Sequence, residues 1–405
     1  MRGISDHLVR QAKVRASGVA GVIIAVLAAA TAATGAGRGR PASPLVAVDL
    51  DTLGGRFSQA SAVNADGMVV GRSSIDGYGA VSHAFAWTEH EGMRDLGTLG
   101  GNASWANAVT DAGVVSGYSY LPGDAEYHAF VWTRVRGMVD LGALGGFASS
   151  PNAMNARGAV VGYSYLPDYT YHAFHWTQRL GMVDLGTLGG RFSTAYAISD
   201  TGVVAGWSSI ADGDVSHAFV WTRESGMVDL GTLGGSASWA HAVSDDGVVV
   251  GSSQTESGAN HAFAWSRRTG MIDIGTIGAD SWAERIGANN TVIGQGYTPS
   301  GVRHGLAWTR RNGPVDLGTL GGDSSYAEAV NDSGQVVGGS WTAGNGTWRA
   351  FAWSPQSGMT ALDTPSGGQS EATASNDNRI VGYSCTPDHT ACHATLWRPL
   401  RRTDR

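Results

Sequence analysis

Lysine is almost absent from this sequence. Lys13 is the only lysine among 405 residues, the other basic side chains are scattered arginines, and acidic residues outnumber basic ones by 34 to 27. Proteins that bind nucleic acid neutralise its phosphates with clustered lysine and arginine. The composition therefore argues against a nucleic-acid partner.

Long apolar runs are also scarce, and only residues 16–37 form one that could cross a membrane. This run follows a basic N-terminus and becomes rich in small residues, as in a signal peptide, with cleavage sites at 30–32 or 34–36. We expect residues 1–32 to be a signal peptide and 33–44 a linker, so that the protein is extracellular. An uncleaved anchor at the cell surface is the alternative. Cleavage changes the formal net charge from −7 to −10.

Cysteine is limited to Cys385 and Cys392, which lie seven residues apart near the C-terminus. In an exported protein this pair predicts a disulfide that closes the intervening loop. Two thiols are too few for a structural zinc site, which takes four ligands. We assign no metal site and no cofactor.

The rest of the chain, residues 48–397, consists of one unit of about 45 residues repeated eight times. Each copy reads approximately GMVDLGTLGG, SxAxAV, a turn ending in Gly, VVVGxS, a variable stretch and HAFxW. We place the repeat domain at 45–398 and a basic tail at 399–405. All eight copies keep the final tryptophan: Trp87, Trp132, Trp176, Trp221, Trp265, Trp308, Trp353 and Trp397. Such a period is typical of a repeat architecture.

Four apolar segments of strand length make up each copy, and we call them a (MVDL), b (SxAxAV), c (VVVG) and d (HAFxW). The turn between b and c ends in Gly, which suits a left-handed residue after a type I turn. Asn290 and Asn378 replace this Gly in two copies, and we expect the same conformation there. The d–a connection is a second short hairpin whose register the sequence leaves open.

The segments differ in how apolar they are. Segments a, c and d are apolar at successive positions, so we expect neighbouring sheets to cover both of their faces. Segment b carries small residues, which suits the innermost strand beside a propeller axis. The predicted strand order, from inside to outside, is b, c, d, a. The a–b linkers and the c–d loops then share one face of the molecule.

The ends of the array indicate how it closes. The array begins with an a segment, residues 45–50, that has no partner, and it finishes on a d segment, residues 393–397. The first segment can complete the last sheet and remove the open edges. The sequence therefore predicts an all-β fold, an eight-bladed β-propeller of four-stranded blades. A β-solenoid, which needs distinct caps and a shorter rung, is the alternative.

These motifs, HAFVW followed by GMVDLGTLGG and SDDGVVVGSS, resemble the HAF family of extracellular repeats over about 350 residues. The Gly-Gly doublet and the late tryptophan are loosely similar to Kelch repeats. The resemblance implies export and a repeat architecture. It implies no catalytic residues.

One His and one Asp recur in almost every copy. The histidines are His83, His128, His172, His217, His261, His304 and His393, with Arg349 in the remaining copy; the aspartates are Asp49, Asp95, Asp140, Asp184, Asp229, Asp273 and Asp316, with Ala361 in the remaining copy. An active site is a single constellation, whereas these residues repeat around a ring. We therefore expect framework hydrogen bonds at the d–a hairpin; a ring of metal-binding histidines is the alternative.

Binding residues are better sought where the copies differ. The first variable position of segment b holds Gln59, Trp105, Ser150, Thr194, Trp239, Trp282, Tyr326 and Glu371, and the second holds Ser61, Asn107, Asn152, Tyr196, His241, Glu284, Glu328 and Thr373. Aromatic rings beside hydrogen-bonding groups suit a glycan or protein ligand; filling of space between blades is the alternative. The candidate ligand-binding residues are Trp105, Trp239, Trp282, Tyr326, His241, Glu284 and Glu328.

The sequence predicts an exported binding or surface-interaction module, with a glycan or another extracellular protein as its partner. We expect a monomer, and we assign no catalytic residue. One alternative is an extracellular glycoside hydrolase or lyase that uses Glu284, Glu328 or Asp280. A purely structural envelope component is another.

Overall fold

The computed structural model describes residues 45–77, 81–211, 215–309 and 313–401. The predicted signal peptide and linker lie outside the described residues, as does the end of the basic tail. Within the described part the chain is β-structure and turns, apart from a single 3₁₀ turn at Ala343–Asn345. No described helix is long and apolar enough to span a membrane.

Thirty-two strands form eight antiparallel blades of four strands. In chain order they are β1 (Leu45–Asp49); β2 (Ser58–Val63), β3 (Val69–Ser74), β4 (Ser82–Thr88) and β5 (Gly92–Asp95) in blade 1; β6 (Ser104–Val109), β7 (Val115–Tyr120), β8 (Tyr127–Thr133) and β9 (Gly137–Asp140) in blade 2; β10 (Ser149–Met154), β11 (Val160–Tyr165), β12 (Tyr171–Thr177) and β13 (Gly181–Asp184) in blade 3; β14 (Gly189–Ile198), β15 (Val204–Ile210), β16 (Ser216–Thr222) and β17 (Gly226–Asp229) in blade 4; β18 (Gly234–Val243), β19 (Val249–Thr255), β20 (Asn260–Ser266) and β21 (Gly270–Asp273) in blade 5; β22 (Ser281–Ile286), β23 (Val292–Tyr297), β24 (Arg303–Thr309) and β25 (Gly313–Asp316) in blade 6; β26 (Gly321–Val330), β27 (Val336–Thr342), β28 (Trp348–Ser354) and β29 (Gly358–Ala361) in blade 7; and β30 (Ser370–Ser375), β31 (Ile380–Cys385) and β32 (Cys392–Pro399) in blade 8.

The strand order in every blade is b, c, d, a, as the repeat pattern predicts. Blade 8 takes its outermost strand from the start of the array, because β1 pairs antiparallel with β32, from Leu45 opposite Pro399 to Asp49 opposite Thr395. The protein is therefore an eight-bladed β-propeller in which the N-terminal strand completes the last blade.

Eight apolar clusters, one between each pair of neighbouring blades, form the core. The cluster at the closing seam joins Ala60 and Phe85 of blade 1 to Val381 and Leu396 of blade 8. Each blade covers its neighbour's apolar face, and burial of this surface is the main force that holds blades together. A linear arrangement of the same eight units would lack the one cluster that joins blade 8 to blade 1.

A buried serine in the innermost strand links each blade to the one before it. Ser104 donates to the carbonyl of Gly97 at 2.6 Å and accepts the amide of Ala84, in blade 1, at 2.8 Å. Ser58 makes the same two bonds across the closing seam, where it accepts the amide of Ala394. Sequence reasoning did not single out this serine, although it is present in all eight copies of SxAxAV. The recurrence of this serine in every copy was the sequence signal that could have identified it.

The turn between b and c follows the prediction in blade 6, where Asn290 has φ 59°. The prediction for Asn378 is wrong, since this residue does not adopt positive φ. The turn of blade 8 is one residue shorter: Asn376 N bonds to Arg379 O, whereas in blade 7 Asn331 N bonds to Gln335 O. The shorter turn has no left-handed position.

The outermost strands are more exposed than the sequence predicts. Val139 in β9 and Val228 in β17 are 38% and 39% exposed, and every a strand ends on exposed residues. Blades radiate from one axis and diverge towards the outside, so a neighbouring blade covers strands c and d but only part of strand a. The prediction that both faces of segment a are covered is wrong.

Candidate functional site

The variable residues come together at one end of the central channel. The b strands are innermost, and neighbouring b strands contact each other around the axis through bonds such as Asn107 Nδ2 to Pro151 O. We call the site the mouth, and define it as the two variable b positions of each blade and the c residue opposite the first. The first b residue and its c partner are Gln59 and Arg72, Trp105 and Tyr118, Ser150 and Tyr163, Thr194 and Trp207, Trp239 and Ser252, Trp282 and Gln295, Tyr326 and Gly339, and Glu371 and Tyr383.

All seven candidate ligand-binding residues lie in the mouth, on β6, β18, β22 and β26. Trp239 makes no ring contact with another described aromatic residue, and its side chain is partly exposed. Trp282 packs edge-on against Tyr297, and Tyr326 lies beside Trp348. The mouth is defined by the variable positions from which these residues were chosen, so their role as ligand contacts stays a prediction.

Several residues at the second variable position of strand b form hydrogen bonds to the next blade. A β-bulge places this residue beside the next b strand: Asn152 Nδ2 donates to Ala195 O at 2.8 Å, and Thr373 Oγ1 to Ala60 O at 2.8 Å. His241 Nδ1 likewise bonds to Ala283 O at 2.9 Å. Desolvation lowers the pKa of His241, so the ring is neutral. One nitrogen of this predicted ligand residue is thus engaged in the framework.

Aromatic rings are concentrated on one side of the mouth, in blades 2 to 4. The name aromatic arc is used for a series of rings in these blades, in which each residue contacts the next and which includes two tyrosines that begin the adjacent d strands: Trp105, Tyr118, Tyr127, Tyr163, Tyr171, Trp207 and Tyr196. The steps between blades are the hydroxyls of Tyr127 and Tyr163, 3.5 Å apart, and the rings of Tyr171 and Trp207, with centroids 6.3 Å apart. The rings are only partly exposed. They therefore support one another across blades and also present a surface.

Three glutamates lie in the mouth in blades 6 to 8. We call carboxylate arc Glu284, Glu328 and Glu371, which come from blades 6, 7 and 8. Desolvation raises the pKa of Glu328 to about 7, and the charges of Glu371 and Glu284 contribute to the rise. Desolvation also raises the pKa of Glu284 and that of Glu371. The hydroxyl of Tyr383 donates to Glu371 at 2.7 Å.

Sequence reasoning placed Asp280 with Glu284 and Glu328, and it missed Glu371 as their partner. Asp280 instead accepts the main-chain amide of Asn260 at 2.9 Å and serves the neighbouring blade. The available signal was that Glu371 occupies the first variable position in the last copy, next in the ring to Glu328 in the second position of blade 7.

Seven His–Asp pairs join strands d and a, the two outer strands of their blades, and so form a ring outside the mouth. The Nδ1 of each histidine lies 2.6–3.0 Å from the aspartate of the adjacent a strand, and that carboxylate also accepts a main-chain amide two residues later, as in Gly231 N to Asp229. Both functions belong to the framework. The pairs lie at the far end of the d–a pairing, beside the c–d loops, so the predicted place at the hairpin is wrong: Asp229 is opposite Phe219, whereas the hairpin begins at Thr222.

Blade 7 lacks both members of the pair, because β28 carries Arg349 and β29 carries Ala361. In the sequence these looked like losses in two different copies, since the a segment of each blade follows its d segment in the next repeat. The closing strand supplies the partner in blade 8, where His393 Nδ1 lies 2.9 Å from Asp49. The two apparent exceptions, Arg349 and Ala361, therefore occupy the two positions of a single missing pair in blade 7.

Two recesses flank the channel. One, of about 400 Å³ at the seam of blades 8 and 1, is lined by Phe57, Gln59, Arg72, Ser82, Tyr383 and Cys392. The predicted disulfide Cys385–Cys392 joins β31 and β32 beside it. The other, of about 390 Å³, lies at the opposite end of the channel among the b–c turns and includes Asp111, Asp200 and Asp245. In the described ranges no three His, Cys, Asp or Glu side chains are grouped closely enough to hold a metal ion.

Among proteins of known structure, the chain is similar to β-propellers of several kinds. No protein-family model and no curated protein sequence matches the chain. Among solved structures it is similar to the β-propeller domain of the Trilobed protease from Pyrococcus furiosus (8% identity, 86% of this chain and 97% of that chain, TM-score 0.43) and to the Dos1 propeller (9%, 88% and 95%, TM-score 0.48). It is also similar to an oligogalacturonate lyase in complex with manganese (12%, 72% and 86%, TM-score 0.40). Identities this low carry no statement about function.

Proposed function

We propose that this chain is an exported β-propeller that acts as a binding module, with a carbohydrate as the ligand of its mouth. The observation that carries the proposal is the aromatic arc, a continuous series of partly exposed rings from blade 2 to blade 4. Sugar rings stack on aromatic faces and bond through their hydroxyls to nearby polar groups. Gln59, Asn107 and Asn152 provide such groups in the same mouth.

Export is supported by two features. The N-terminal run has the layout of a signal peptide, and the disulfide Cys385–Cys392 is the oxidised form of the only two cysteines. The resemblance to extracellular HAF repeats points in the same direction. An uncleaved anchor would keep the same binding module at the cell surface.

A glycan array tests the proposal. We expect the protein to bind a defined group of glycans and the variants Trp105→Ala and Trp207→Ala, which remove two rings of the aromatic arc, to lose at least about tenfold in affinity, since stacking on a large ring contributes roughly 1–2 kcal/mol. Val135→Ala is the matched control, because Val135 is 94% exposed in a d–a hairpin away from the mouth. An empty array, or glycan binding that both tryptophan variants retain, contradicts the proposal.

A hydrolase is the second candidate, and the pKa of Glu328 favours it. A carboxyl with a pKa of about 7 is suited to be a general acid, and Glu371 provides a second carboxylate nearby. Turnover of a polysaccharide that disappears in Glu328→Gln and persists in Glu126→Gln, an exposed acid in a c–d loop, would establish it. No turnover across a panel of polysaccharides would eliminate it.

A further inference from the structure

The carboxylate arc contains an acid without a partner. Glu328 is partly buried and makes no hydrogen bond or ion pair with any described residue. Its neighbours Glu284 and Glu371 add like charge. A carboxylate removed from water is costly unless it gains a donor or a cation. Among the described residues, nothing supplies one to Glu328.

Gln295 gives a second and independent indication at the same place. Its Nε2 donates to both carboxylate oxygens of Glu284, at 3.1 and 3.3 Å, so the amide lies against the arc. The residue is only 7% exposed, yet its Oε1 has no partner among the described groups. Buried amide oxygens are almost always hydrogen-bonded. An additional donor is therefore missing beside Glu284.

The donors that face the arc are already used or are directed elsewhere. Arg285 donates to the main-chain carbonyl of Glu284 at 3.1 Å, and the guanidinium of Arg303 lies 4.0 Å from the centre of the Tyr326 ring. The Tyr383 hydroxyl is used by Glu371. Both arginines act to lower the pKa of Glu328, but desolvation and the two glutamates outweigh them.

An organic cation with N–H donors would supply what Glu328 and Gln295 lack. The acids of the arc are not grouped closely enough to hold a metal ion in the described structure, whereas an ammonium group donates three hydrogen bonds. Trp282, on the same strand as Glu284, meets Tyr297 only edge-on and offers an aromatic face, which attracts cations as well as sugar rings.

We propose that the carboxylate arc binds the protonated amine of an amino sugar, with Glu328 and the Oε1 of Gln295 as acceptors and Trp282 against the sugar ring. This inference rests on the proposed carbohydrate-binding function and names its substrate class. An N-acetylated sugar carries no charge and lacks the ammonium donors, so the site discriminates between the two forms.

Isothermal titration calorimetry at pH 7 with two probes tests the inference: a tetramer of glucosamine and the same tetramer fully N-acetylated. We expect the amine form to bind about tenfold or more tightly, because hydrogen bonds between charged groups are the stronger ones. Glu328→Gln should reduce the ratio of the two affinities to near one by weakening only the amine form, and Glu126→Gln should leave the ratio unchanged.

Proton release provides a second readout on the wild-type protein alone. An ammonium group next to Glu328 favours the ionised carboxyl, so binding of the amine tetramer at about pH 6, where its amines are already protonated, should release a fraction of a proton, measured as a dependence of the binding heat on the buffer. The N-acetylated tetramer should release none. This readout needs no variant and holds even if a substitution disturbs folding.

The outcomes separate the two proposals. Equal affinity for both tetramers, with no effect of Glu328→Gln, overturns the amine site and leaves carbohydrate binding intact. If neither tetramer binds while the glycan array identifies other sugars, the amine site is again wrong and the binding module stands. If neither tetramer binds and the array is empty, both proposals fall.

Discussion

At the residue scale, Glu328 makes the stability of the ring depend on pH. Its pKa of about 7 in the folded protein is above the value of 4.5 for an unperturbed glutamate. The folded state therefore binds the proton more tightly, and the contribution to stability is lost as the pH rises through 7. Between pH 4.5 and 7 the free energy of unfolding falls, because the carboxyl ionises in the unfolded chain at a lower pH than in the folded protein.

We expect Glu328→Gln to raise the melting temperature at pH 8 by roughly 3 °C, which corresponds to about 2 kcal/mol after allowance for partial exposure. The difference from the wild type should vanish at pH 4, where the carboxyl is protonated. Differential scanning fluorimetry across this range measures it, with Glu126→Gln as the control. An equal effect at both pH values would contradict the assigned pKa.

Blade 7 allows a direct test of the His–Asp pairs. Arg349→His combined with Ala361→Asp should restore the eighth pair and stabilise the protein by about 0.5–1 kcal/mol beyond the sum of the single changes, as expected for a partly exposed pair. A double-mutant cycle on urea unfolding measures this coupling. Additive effects would show that the pair contributes nothing beyond its separate members.

The sequence located the mouth but not its chemistry. Framework positions repeat and ligand positions vary, so Trp239 and Glu328 could be selected from the differences between copies. The order of the copies pointed to Glu371 as the neighbour of Glu328, but the direction of the two side chains could not be predicted, because a β-bulge follows the first variable position and changes side-chain direction locally. The bonds from Asn152 and His241 to the next blade were missed for the same reason.

At the scale of single elements, the strands themselves were predictable, since four apolar segments separated by turn residues recur at a fixed period. Two local features were missed. The outer valines are exposed because blades diverge, which is a property of the ring and not of any segment. The turn at Asn378 is shorter by one residue, and the signal was the spacing of the apolar segments: Ser370 and Ile380 are 10 positions apart, whereas Ser325 and Val336 in the preceding copy are 11 apart.

The disulfide belongs to the element scale, where it closes the loop between β31 and β32. The amide of Cys392 also donates to the carbonyl of Arg56 in blade 1, at 3.0 Å, so this loop lies at the closing seam. Replacing both cysteines, Cys385→Ser with Cys392→Ser, should lower the free energy of unfolding by about 2 kcal/mol, as expected for a short closed loop.

Chemical denaturation with and without reductant measures the effect. The wild type with reductant should match the double variant, and reductant should leave the double variant unchanged. Identical stability of oxidised and reduced wild type would show that the bond does not support the seam.

At the scale of the whole molecule, the closing strand determines where the chain can be cut. Leu45 lies opposite Pro399 in blade 8, just as Gly137 lies opposite Thr133 across a three-residue hairpin in blade 2. The two ends of the propeller, Leu45 and Pro399, are therefore equivalent to one opened d–a hairpin. Any other d–a hairpin should serve equally well, because the strands it joins keep their pairing in the sheet.

A circular permutant tests this equivalence. We expect a chain in which a three-residue loop joins Pro399 to Leu45, and which starts at Arg136 and ends at Val135, to keep the circular dichroism spectrum and to melt within a few degrees of the parent. Opening the chain between Asn155 and Ala156 is the control, since Asn155 Nδ2 donates to Ser199 of the next blade and the turn is part of a buried network. Equal stability of both permutants would contradict the account of closure.

The position of Leu45 also determines which side of the propeller faces a surface to which that residue is coupled. Because β1 starts beside Pro399 and ends at Asp49 near the c–d loops, Leu45 lies at the back, on the side away from the mouth. A sensor chip coupled at Leu45, in a variant that begins there, would hold the propeller by its back and leave the front of the ring open to the solution, so that a bulky polymer could reach the mouth.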